Sequence, residues 1–116
     1  MEAPRVFVIG RDHWARASLR AELIERGFDA VGHATIRDAL LALALSPARA
    51  PKVIVVDLHE QDHDEDRLAA LFLHGARVIG IAGAAEAADA DRPWAAFLRR
   101  PVTIGGVAEA VERAAA

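Results

Sequence analysis

The run Lys52-Val53-Ile54-Val55-Val56-Asp57-Leu58 constrains the fold more than any other part of this chain. Its consecutive β-branched residues show no polar alternation, so the strand they form is apolar on both faces. Strands of that kind belong to parallel sheets covered by helices on either side. The run delivers one carboxylate, Asp57, to the strand's C-terminal end, which is where open α/β sheets place their sites. Arg5-Val6-Phe7-Val8-Ile9 and Arg77-Val78-Ile79-Gly80-Ile81-Ala82 are written the same way, each breaking off into small or charged residues. Three parallel strands would set those ends side by side.

Helical signals alternate with the strands. From Asp12 or His13 through Arg26, Ala15, Leu19, Leu23 and Ile24 recur at helical spacing, and Gly27 sits where a C-cap belongs. Phe28 to His33 reads as a second strand. Thr35 caps a helix over Ile36 to Leu45, which Pro47 stops. The polar stretch His59 to Glu65 leads into a short helix, Asp66 to His74, closed by Gly75. Ala84 to Arg92 is helical by composition but weakly amphipathic. Ala95 to Arg99 reads as a fifth strand, and Thr103 caps a last helix with Ile104, Val107 and Val111 inward. The pattern is (βα) five times, which predicts an α/β, flavodoxin-like, doubly wound three-layer sandwich with a parallel sheet in the order 2-1-3-4-5. The switch point then falls between strands one and three, where Asp57 faces the residues after Ile9.

At 116 residues the chain reads as one domain, residues 1–116, and its ends fit a stand-alone protein as well as the N-terminal part of a longer one. A net charge of −3 gives no basic stripe that would advertise nucleic acid, and the absence of Cys removes disulfides and thiolate metal sites. No targeting segment is visible and no apolar run approaches the roughly 20 residues that span a bilayer, so a cytoplasmic protein is expected. Gly10-Arg11-Asp12-His13-Trp14 matches neither a dinucleotide fingerprint nor a phosphate-binding loop, so no nucleotide cofactor is expected.

Three short landmarks carry a resemblance: Val55-Val56-Asp57-Leu58, Phe97-Leu98-Arg99-Arg100-Pro101, and Arg16-Ala17-Ser18-Leu19 in the first helix. Their order and spacing resemble those of the receiver domains of bacterial two-component response regulators, over essentially the whole chain. The resemblance implies a phosphoacceptor at Asp57 and a phosphorelay role. In that family two acids after the first strand join the phosphoacceptor in holding Mg²⁺, a hydroxyl ends the fourth strand, and a lysine precedes the proline after the fifth. This chain departs from the pattern at each of those places. The acids fall on Gly10 and Arg11, the hydroxyl on Ala82 and the lysine on Arg100; Phe97 takes the place of the family's mobile aromatic, and Pro101 is kept. The only lysine, Lys52, begins the third strand.

One carboxylate is a poor cage for Mg²⁺, which demands octahedral oxygen ligation, so no metal site and no catalytic residue are expected. Arg11 is expected to bridge Asp57 in place of the ion, with Arg100 as the second choice. Asp12 reads as an N-cap before it reads as a surviving metal ligand, and Phe97 as core before switch. His59 and His63, four apart amid acids, could grip a divalent cation, but a solvated loop feeding a helix N-terminus is the plainer account. Trp94, beside an alanine-rich segment, reads equally as an interface contact and as core cover. The expected function is a non-enzymatic pseudo-receiver that acts by protein–protein contact, with a histidine kinase, a fused output domain or a second copy as partner. The alternative is an active phosphoacceptor using Asp57, Asp12 and Arg100 with Mg²⁺.

Overall fold

The computed structural model describes residues 2–62 and 64–116, with the backbone alone at 87–89. Its strands are β1 (Arg5–Ile9), β2 (Asp29–His33), β3 (Val53–Asp57), β4 (Arg77–Ala82) and β5 (Ala96–Arg99), and its helices α1 (His13–Glu25), α2 (Ile36–Leu45), α3 (Glu65–Ala70) and α4 (Ile104–Ala115). The strands form one sheet in the order β2-β1-β3-β4-β5, every neighbouring pair parallel. This is the flavodoxin-like architecture expected from the alternating pattern. No helix among the described residues is long and apolar enough to cross a membrane.

Local chemistry sets the helix ends. Asp12 caps α1, with its side chain accepting from the amides of Trp14 and Ala15. At the other end Gly27 takes a φ of 93°, the Phe28 amide returns to the Leu23 carbonyl at 3.0 Å and the Gly27 amide to Ile24 at 3.1 Å. That double return is the Schellman closure, and the left-handed residue in it costs glycine least. Thr35 caps α2 and Thr103 caps α4, each through its hydroxyl.

Strand alternation divides the core in two. Val6, Val8, Val53, Val55, Ile79 and Ile81 face α1 and α4. Phe7, Ile9, Ile54, Val56 and Val78 face α2, α3 and the partly buried rings of Phe72, Trp94 and Phe97. Because side chains alternate along a strand, Asp57 shares the face of Val53 and Val55, and Arg100 continues the face of Ala96 and Leu98. Both point toward the α1/α4 side.

Two connections depart from the sequence-based expectation. Residues Ala84–Ala90 form 3₁₀ turns and no α-helix, so the fourth helix of the (βα) pattern is absent from the connection between β4 and β5. Alanine favours helix, but a short isolated helix is marginal without an apolar stripe to dock it, and this segment has none. The helix expected over Asp66 to His74 also splits, into α3 and a 3₁₀ turn at Leu71–Leu73 that buries Leu71 completely.

His33, at the C-terminal end of β2, packs its ring edgewise against Phe7 at 4.5 Å, and its Nε2 is the buried side-chain polar atom without a partner among the described residues. Burial holds its pKa below the ordinary value of 6.5; Arg16 pushes the same way and Asp38 opposes. The unfolded chain therefore takes up a proton that the native state resists. Stability should be full above pH 6.5 and decline as the pH falls through the folded pKa. Urea titrations between about pH 7 and pH 5.5 should show that loss in the wild type and a flatter profile in His33→Gln. An unchanged slope would remove His33 as its cause.

Candidate functional site

Three strand ends build the site. Asp57 ends β3 opposite Ile81, and the Leu58 amide bonds the Ile81 carbonyl at 2.9 Å. Arg100 follows β5, its amide donating to the Ala82 carbonyl at 2.8 Å, so the ladder runs one residue past the strand before the cis Arg100–Pro101 peptide. From there an Arg100 Nη2 hydrogen donates to Asp57 Oδ2. The His59 amide donates to the other carboxylate oxygen at 3.1 Å. Both oxygens of Asp57 are thus engaged, one by a cation and one by its own loop. The Asp57 side chain is 17% exposed and that of Arg100 42%, which makes the pair a rim contact, partly screened by water.

Arg11, expected as the first partner of Asp57, takes no part. It is exposed in the turn after Gly10 and makes no ion pair among the described residues. The Gly10 amide bonds the His33 carbonyl at 3.0 Å, which carries the chain toward β2, whereas Arg100 arrives on the face of the sheet that Asp57 already occupies. Arg100→Ala should therefore lower stability by about 1 kcal/mol, while Arg11→Ala should change it by less than about 0.5 kcal/mol. Equal losses in chemical denaturation would count against this assignment.

The other candidate residues have structural surroundings. Asp12 spends Oδ1 on the amides of Trp14 at 2.9 Å and Ala15 at 3.1 Å. Gly10 has room for a side chain, since a Cβ there would stand 3.5 Å from that of Asp57. Ala82 is buried and has no hydroxyl to offer. Phe97 lies half-buried with its ring 5.3 Å from that of Trp94, which meets Phe72 edge-on at 5.0 Å. Trp94 is thus core cover over β4. Lys52 lies at the opposite end of the central strand β3 from Asp57, its amide bonded to the Arg5 carbonyl at 2.8 Å.

A magnesium ion does not fit this donor set. Asp57 is bound by a guanidinium, Asp12 is occupied in capping, and position 10 is glycine, so the hard oxygen ligands that Mg²⁺ needs are missing. Among the described residues no group of three or more His, Asp or Glu side chains comes together to hold a metal. His63 lies outside the described residues. His59 stands 3.4 Å from Glu60 and 3.9 Å from Glu86, and Asp64 caps α3 through the Arg67 amide.

Two contributors were not assigned to the site from the sequence. Gln61, buried in the loop after β3, accepts from the Ile36 amide at 3.2 Å and donates to the Ala34 carbonyl at 3.0 Å. It ties the Asp57 loop to the start of α2, and a lone Gln among acids looks like any other solvated loop residue. Arg16 donates to the Gly10 carbonyl at 2.6 Å and so braces the turn between β1 and α1. Its place in the first turns of a helix that follows a strand end was the available hint.

No protein-family model matches the chain, and no curated protein matches it in sequence. Solved structures do match. A response regulator receiver domain protein from Clostridium thermocellum superposes with a TM-score of 0.80 at 17% identity, over 97% of this chain and 94% of that one. FixJ-N gives 0.71 at 27% identity, over 99% and 95%. A Rhodopirellula baltica structure described as an adenylate cyclase gives 0.82 at 15% identity, over 97% and 87%. The fold is that of two-component receiver domains.

Proposed function

We propose that this chain is a degenerate receiver, a signalling module of the two-component type that works by protein–protein contact with little or no Mg²⁺-dependent phosphorylation. The observation that carries the reading is the state of Asp57. The carboxylate at the receiver phosphoacceptor position is held by Arg100 and by the His59 amide, and the neighbouring carboxylate, Asp12, is committed through Oδ1 to the cap of α1. Phosphoryl transfer to an aspartate depends on positioning and on positive charge that a metal supplies. A guanidinium in contact with the carboxylate neutralises it without supplying open coordination positions.

Phe97 supports the same reading. It sits beneath Trp94, and the position that would link it to a phosphoryl group is the methyl of Ala82. The module is a binding protein without catalytic residues, bacterial and cytoplasmic, and its partners are a histidine kinase, an output domain or a second copy. The test is incubation with a small phosphodonor and Mg²⁺, read by intact mass. The wild type should show no added phosphoryl group. An increment that disappears in Asp57→Asn would establish the active-acceptor reading instead.

A further inference from the structure

Between α1 and α4 the sheet leaves a cleft of about 140 Å³ that opens beside the Asp57–Arg100 pair. Val8, Val55 and Ile81 of the sheet, Leu19 of α1 and Val107 of α4 line its depth, all of them buried, and the half-buried Val102 and Ile104 line it nearer the surface. In the same measure a water needs roughly 10–15 Å³, and an apolar cavity of roughly 150 Å³ is large enough to take up benzene. The space is partly a product of the departures already described. Where receivers carry an acid, Gly10 contributes only a hydrogen atom, and Ala15 supplies a short rim on α1.

The mouth is balanced in charge. Asp12 and Asp57 border it together with Arg16 and Arg100, two carboxylates against two guanidiniums. An anionic visitor meets both acids and a cationic one meets both arginines, while a neutral molecule disturbs neither pair. Arg100 gives Asp57 one hydrogen bond and keeps the rest of its donor fork, so the polar atom best matched to the mouth is an acceptor. An apolar pocket with a few convergent polar groups is the common form of a small-molecule site.

We propose that this cleft binds a small, uncharged aromatic molecule carrying one carbonyl or hydroxyl oxygen, and that its occupancy acts on the Asp57–Arg100 pair in place of phosphate. The regulatory half rests on the degenerate-receiver reading; the binding half does not. The ring lies against the half-buried Val102 and Ile104 with its inner edge toward Ile81, and its oxygen accepts from Arg100.

Benzamide and benzoate, nearly identical in shape and different in charge, are the probes. In amide NMR titrations of the full chain without phosphodonor, benzamide should shift Val8, Ala15 and Val107 saturably, and benzoate should bind roughly tenfold more weakly or not at all. Ala15→Leu and Val107→Leu fill the cleft from the rim and the wall, and each should weaken benzamide roughly tenfold while still melting cooperatively. Absent or non-saturating shifts, benzoate binding as well as benzamide, or full binding in a folded filled variant each overturn the site. The comparison of probes on the wild type decides even where a variant fails to fold. A phosphoryl group found on Asp57 would remove the proposed function and leave cleft binding standing; a silent benzamide titration would do the reverse.

Discussion

Trp94→Ala should lower stability by about 3 kcal/mol, and with it the melting temperature by about 10 °C. The indole covers β4 where a docked helix would otherwise lie, meeting Phe72 and Phe97 and closing over Gly80. Its ring is half-buried, which places the cost at the low end of the range for truncating a large core aromatic. Gly80 reports the same contact from beneath. A Cβ there would stand 2.9 Å from the Trp94 ring and 3.0 Å from Phe97, closer than carbon atoms approach without displacement. Gly80→Ala should therefore cost about 1–3 kcal/mol by overpacking. In a Trp94→Ala background part of that cost should vanish, because one of the two colliding rings is gone and Phe97 has space to give way. Strictly additive losses in a denaturant double-mutant cycle would show that the indole does not sit over Gly80.

The second large effect is a gain of chemistry. Gly10→Asp, Arg11→Asp, Ala82→Thr and Arg100→Lys together restore the receiver pattern around Asp57. The backbone at Gly10 leaves ordinary contact distance for the new Cβ. Without metal, the added carboxylates repel Asp57 and the variant should melt below the wild type. With Mg²⁺ it should be stabilised by mass action, and only then should intact mass show one added phosphoryl group that Asp57→Asn removes. The wild type should show neither a Mg²⁺-dependent melting shift nor the adduct. A restored variant indifferent to Mg²⁺ would mean that more than these four side chains separates this chain from an active receiver.

The sheet was legible in the sequence because runs such as Val53 to Val56 leave one interpretation, and the switch point followed from the strand order. The shape of the fourth connection was not. The composition of Ala84 to Ala90 speaks for helix, while the outcome depends on docking area that propensity does not report. Trp94 stayed ambiguous because its position over Gly80 depends on the pairing of Gly80 with Phe97, a register contact between separate strands. The partner of Asp57 was within reach. Alternation along β3 and β5 places Asp57 and Arg100 on one face of the sheet, an argument stronger than the nearness of Arg11 to the end of β1.

The bridge made by Gln61 bears on how costly it is to be recognised. Its side-chain amide joins the backbone at Ala34 and Ile36 to the loop that carries His59, so two loops from different crossovers hold one shape. A protein that docks across both loops meets main-chain groups already in their final arrangement, and the ordering entropy that association usually loses was spent when the chain folded. Affinity at that corner is then set by the fit of the visiting surface.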